Sequence, residues 1–157
     1  MASASRTRTA TATHEAGHAV SALSCGLTVD QVTLSPGLTR LTAEPGRPMD
    51  YIRFKLGGPA AESIVLGGAC DPLLLDSARS DRADADREAF DLTHDLTELD
   101  ALVKSTLAEV TEFLNTNWVQ VQRIALALIS RRGVLHGTEL AALVNITPYP
   151  KDAECLV

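Results

Sequence analysis

The sequence predicts a single, mainly helical domain with a small β-sheet, and three observations carry that expectation. Long stretches without Pro place apolar residues at helical spacing, most clearly in the second half of the chain. One early run, Leu27 to Leu34, is instead rich in β-branched residues with partial alternation and closes on Ser35-Pro36-Gly37. Finally, 157 residues is the length of one domain, which buries about 68–70% of its unfolded surface and so builds a core without metals or disulfides as staples.

Taken in order, residues 1 to 9 are rich in Ser, Thr and Arg and read as a flexible tail. Ala10 to Leu23 has no Pro, carries Ala12, Ala16, Ala19, Val20 and Leu23, and runs into Gly26, a residue suited to a left-handed C-terminal cap. The strand at Leu27 to Leu34 follows, with a weaker one at Leu38 to Ala43 and a loop at Glu44 to Pro48. A helical pattern returns from Asp50 to Leu66, where Gly57-Gly58-Pro59 implies a break or a close contact. Gly67 to Ser80 reads as a loop whose Leu73-Leu74-Leu75 is apolar enough to cover something. Three helices follow, Ser80 to about Leu96, one from about Glu98 to Leu114, and Trp118 to Ile129, the last closed by Gly133 and with Trp118 read as core. Thr138 is positioned to cap a short helix from Glu139 to Val144. The folded unit therefore spans residues 10 to 146, with a C-terminal tail over 147 to 157.

Composition narrows the setting. A net charge of −6, from 14 basic and 20 acidic residues, argues against nucleic acid or an anionic membrane as the main partner. Cys25, Cys70 and Cys155 are odd in number and widely spaced, as expected of reduced thiols in a cytoplasmic protein. No stretch approaches 18 uninterrupted apolar residues, so no membrane span is expected.

The chemistry concentrates in His14-Glu15-Ala16-Gly17-His18. On a helix, residues four apart lie one turn above each other, so His14 and His18 direct their imidazoles at one point, the arrangement that holds Zn²⁺ in HExxH hydrolases. Glu15 then sits beside the metal, where its carboxylate accepts a proton from a water. Ala16, Gly17 and Ala19 are small, as a helix approached closely by another backbone requires.

A catalytic zinc usually takes three protein ligands. The HExxHxxGxxH class is excluded, because Ser21 and Ser24 stand where its glycine and third histidine would be. His94 and His136 are formal candidates, and Glu62 is a helical glutamate suited to a supporting or alternative ligand role. Asp81 is the better candidate. It shares a helical stripe with Ala85, Ala89 and Leu92, whose small residues permit the close packing a short Asp needs to reach a metal. The neighbouring stripe Asp84, Glu88, Asp91, Asp95 is all acidic and reads as a solvated face.

These residues together resemble the peptidase domain of the FtsH-type ATP-dependent zinc metalloproteases. His14 to Val20 is similar to that family's zinc helix, Val29 to Gly37 to its following strand and turn, and Leu56-Gly57-Gly58-Pro59-Ala60-Ala61-Glu62 to its LGGRAAE segment. Ser80-Asp81 resembles the segment whose Asp is the family's third ligand, and Trp118 to Val144 resembles its closing helices. Pro59 replaces the usual Arg, and Ser80 the usual Asn. No Gly-Lys pair occurs, so this chain carries no P-loop for ATP.

The resemblance implies a zinc endopeptidase in which His14, His18 and Asp81 hold the metal and Glu15 is the general base. Its substrates would be unfolded polypeptides or segments delivered by a separate ATPase, pairing with a strand edge at Val32 to Leu34 or Leu38 to Ala43. The family forms hexameric rings with help from its ATPase domains, so the assembly of this chain stays open. A non-catalytic module that keeps the fold to bind a protein partner is the alternative, and a zinc hydrolase for a non-peptide amide is a third reading.

Overall fold

A computed structural model describes residues 2–69 and 71–149, with side chains from Arg8 onward. Cys70, Cys155 and the segment 150–157 lie outside the described residues. The first helix, α1 (Ala2–Ser24), starts well before Ala10. No Gly or Pro stands between Ala2 and Ala16, so the expected tail over 1 to 9 gives way to helix from Ala2. The helix ends as expected, with Gly26 at φ +76°.

Strands β1 (Val29–Leu34) and β2 (Gly37–Leu41) form an antiparallel hairpin, and a third strand, β3 (Val134–His136), pairs antiparallel with the other side of β1. The order β2-β1-β3 makes β1 internal. Its Val32 and Thr33 already pair with Leu135 and Val134, which closes Val32 to Leu34 as a substrate edge and leaves β2 with an unpaired outer side among the described residues.

Helix α2 (Pro48–Val65) begins on Pro48, whose missing N–H costs nothing in a first turn. It runs through Gly57-Gly58-Pro59 without ending, so the glycines mark a close contact and not a break. α1 and α2 cross there. A Cβ placed on Gly57 would lie 2.6 Å from the carbonyl oxygen of Gly17 and 2.6 Å from Ser21 Oγ. In an open helix Gly→Ala gains about 1 kcal/mol of propensity, but forcing a methyl against backbone that cannot give costs roughly 1–3 kcal/mol or more. Gly57→Ala is therefore expected to lower stability by up to about 2 kcal/mol net, a fall of as much as roughly 4–8 °C in Tm for a domain of this size, read by thermal unfolding. An unchanged or raised Tm would mean that the two backbones are not in contact.

The chain then passes two short 3₁₀ turns, Pro72–Leu74 and Asp76–Ala78, in which Leu73 is buried and Leu74 is exposed. Helix α3 (Arg79–Thr93) follows; it stops before Leu96 because His94 turns left-handed at φ 55°. Asp95 then caps α4 (Leu96–Thr116), accepting hydrogen bonds from the N–H groups of Thr97 and Glu98. Helix α5 (Trp118–Ser130) leads through β3 into α6 (Gly137–Leu143). Thr138 does not cap α6; Glu139 Oε2 instead accepts from the His136 N–H at 2.9 Å, because the helix starts one residue before Thr138.

The core is built around α1, whose Ala12, Ala16, Ala19, Val20 and Ala22 are fully buried, with α2 and α5 packed against it. Trp118 is partly buried against this core. Residues up to Tyr149 belong to the packed body: the Tyr149 N–H donates to the carbonyl of Ser24 at 2.8 Å, and its ring stacks on Phe113. Among the described residues no helix is long and apolar enough to cross a membrane.

Candidate metal centre

His14 and His18 project from one face of α1, and Asp81 meets them from the first turn of α3. All are buried, at 6, 4 and 7% exposure, as is Glu15 at 5%. Nε2 of His14 and Nε2 of His18 are 3.0 Å apart, and Asp81 Oδ2 lies 3.1 Å from the first and 3.2 Å from the second.

Hydrogen positions decide what this triangle can hold. The carbonyl oxygen of Phe54, 2.8 Å from His18 Nδ1, can only accept, so Nδ1 carries the hydrogen and a neutral His18 ring turns a lone pair inward at Nε2. His14 Nδ1 lies 3.3 Å from Glu62 Oε2, not aligned as a full hydrogen bond but close enough for the carboxylate to favour a hydrogen there. Two imidazole lone pairs and a carboxylate oxygen thus converge, a donor set that calls for a cation. Zinc ligands ~2.0–2.1 Å from the metal at tetrahedral angles are about 3.3 Å from one another, so the observed spacing needs only a slight outward movement. The buried group His14, His18 and Asp81 can hold a metal ion, and no other such group of His, Cys, Asp and Glu occurs among the described residues.

Glu62 is behind His14 and not in the triangle; its Oε2 accepts from Ser77 Oγ at 2.6 Å. His94 ends α3 at the surface and His136 precedes α6, both exposed and outside the group. Leu92, expected on the buried stripe with Asp81, is exposed, whereas Ala85 and Ala89 are fully buried as the stripe requires. Asp84 departs from the solvated face assigned to it. Its Oδ2 pairs with Lys55 Nζ at 2.8 Å.

The general-base candidate lies beside the triangle. Glu15 Oε2 accepts from Thr39 Oγ1 at 2.9 Å, and the same hydroxyl is 3.0 Å from the Glu15 carbonyl oxygen. Gly37 lets β2 come this close, because a Cβ there would stand 2.9 Å from Glu15 Oε1. A cleft of about 170 Å³ opens over His14, Glu15, His18 and Asp81, with Thr39, Phe54 and Lys55 on its walls. Thr39, Lys55, the Phe54 carbonyl and Ser77 carry no spacing signal that sequence reasoning could have used. Gly58 did carry one, since a glycine inside a helix usually has a packing reason. A Cβ on Gly58 would fall 2.5 Å from both Nε2 atoms.

Burial disfavours the charged form of His14, but the carboxylates of Asp81 and Glu62 outweigh it and raise the pKa to about 9. For Asp81, burial is likewise outweighed, by hydrogen bonds to His14 and His18, which hold its carboxyl well below the usual range. In the metal-free protein a proton therefore takes the place of the cation. Because the folded pKa of His14 is raised from 6.5 to about 9, its stabilising contribution is complete below pH 6.5 and lost as pH rises through about 9. Asp81 contributes above its ordinary value of 3.8, and loses that contribution as pH falls toward its depressed folded value. With chelator present, Tm is expected to decline between pH 6.5 and 9, while the extra Tm conferred by added zinc grows over the same interval as protons cease to compete. Parallel melts with and without chelator check this; a gap that stays constant with pH would contradict it.

Fold and site define a mainly helical domain with a three-stranded antiparallel sheet and a buried His-His-Asp group able to bind a metal ion. Comparison with protein-family models and with curated proteins finds no match for this chain.

Proposed function

We propose that this chain is a zinc metallopeptidase that hydrolyses peptide bonds of unfolded polypeptides. One observation carries the reading: the convergence of two Nε2 atoms and one carboxylate oxygen within 3.2 Å, with a second buried carboxylate, Glu15, on the same cleft. The HExxH spacing and the resemblance to the FtsH-type peptidase domain support it from the sequence side.

His14, His18 and Asp81 would hold zinc, which when bound would supply the Lewis acidity that lowers the pKa of a water toward ~7 and polarises the scissile carbonyl. Glu15 accepts the proton of the attacking water as its oxygen bonds to the carbonyl carbon, and passes that proton to the amine nitrogen as the C–N bond breaks. Thr39 fixes the direction of the Glu15 carboxylate by its hydrogen bond to Oε2. Phe54 fixes the ring of His18 through its carbonyl.

Substrate recognition falls to β2: Leu38–Ala43 line a groove of about 490 Å³ with Tyr51, Phe54 and Lys55 of α2, and the outer side of β2 is unpaired among the described residues. Leu38, Thr39, Phe54 and Lys55 line both this groove and the cleft, so an extended chain paired with β2 would pass over the site. Backbone pairing of this kind requires an unfolded segment, either free or supplied by a separate ATPase.

The test is metal analysis with a peptidase assay on the purified protein. The expected result is one zinc per chain, cleavage of casein, loss of cleavage with chelator and its return with zinc. Zinc bound without hydrolysis would favour a partner-binding module, and no zinc at all would remove the metal reading.

A further inference from the structure

The structure points to a role for Lys55, which we infer to be a positioning residue that keeps Asp81 a one-oxygen ligand by holding its other oxygen away from the metal position. The inference rests on the metal reading above and concerns how the third ligand is presented. Asp81 divides its carboxylate between two neighbourhoods. Oδ2 faces both imidazoles at 3.1 and 3.2 Å, while Oδ1 faces Lys55 Nζ at 3.7 Å.

Lys55 is itself held in place. Its Nζ lies 2.8 Å from Asp84 Oδ2, one turn along α3 from Asp81, and within 5.6 Å of the ring centres of Tyr51 and Phe54. It is only 19% exposed, so the pull on Oδ1 is poorly screened. The position also links the ligands: Lys55 follows Phe54, whose carbonyl orients His18, so one stretch of α2 sets both His18 and Asp81.

Function gives this arrangement a purpose. A carboxylate free to rotate offers a metal both oxygens, and the second would occupy the position that a catalytic site keeps for water and the substrate carbonyl. The Lys55 ammonium competes for Oδ1 and so preserves the open position. Asp84, in turn, balances the charge that Lys55 would otherwise set against a bound cation.

Cobalt(II) exchanged for zinc reports coordination number directly, since four-coordinate cobalt absorbs visible light severalfold more strongly than five- or six-coordinate cobalt. The wild-type protein is expected to give the intense four-coordinate band. In Lys55→Met the band should weaken about threefold or more, with helix content by circular dichroism unchanged, and Lys55→Arg should restore it. Lys55→Met/Asp84→Asn removes both charges together, so a weak band there as well separates the loss of Lys55 from the burial of an unpaired carboxylate. Equal bands in wild type, Lys55→Met and the double variant would overturn the role of Lys55. No band in the wild type would overturn the metal reading itself, a different result from the first.

Discussion

Replacing Glu15 with Gln is expected to reduce peptide hydrolysis by roughly 10²–10⁴-fold while zinc stays bound at one per chain, since the amide keeps the shape but cannot accept the water's proton. The fold should survive. Thr39 of β2 donates to Glu15 Oε2, and a Gln amide still accepts that hydroxyl at its oxygen. Casein cleavage, with zinc content measured on the same sample, checks both halves. Full activity in Glu15→Gln would reject Glu15 as the base; lost zinc would instead make it part of the metal's support.

Gly58→Ala should have the other large effect, a loss of zinc affinity of about 100-fold or more, because second-sphere disturbances alone cost 10–100-fold and this one strikes two ligands. The added methyl would fall 2.5 Å from Nε2 of both His14 and His18, and rings moved aside for it no longer aim at Asp81. Stability should suffer less than in Gly57→Ala. The atoms in its way are side-chain ends, whereas Gly57 faces the backbone of Gly17. Competition against a chromophoric chelator measures the affinity, and unchanged binding would mean that the rings have room on the α2 side.

The site was more legible in the sequence than the fold around it. His14, Glu15 and His18 are read from spacing on one helix, and Asp81 from the small residues Ala85 and Ala89 on its stripe. What spacing cannot convey is what another element brings. The Phe54 carbonyl belongs to backbone and is silent about residue type, and Thr39 is one threonine in a hairpin until pairing in β1 and β2 places it under Glu15. In the fold, helices with two or more apolar turns are legible in the sequence, with ends displaced by local chemistry. His94 takes a left-handed backbone and Asp95 starts a new helix, so one expected segment stops short. The three-residue strand β3 is too short to show a period, and its formation by pairing with β1 depends on a partner about a hundred residues earlier in the chain.

Helix α3 turns only Asp81, Ala85 and Ala89 fully inward, two methyl groups and a carboxylate, so dispersion alone anchors it weakly. The cation between Asp81 and α1 would then act as a latch, fastening α3 to the buried helix at the centre of the core. Stripping that ion should loosen α3 ahead of global unfolding, and amides along residues 79–93 would exchange with solvent while those of α1 remain protected.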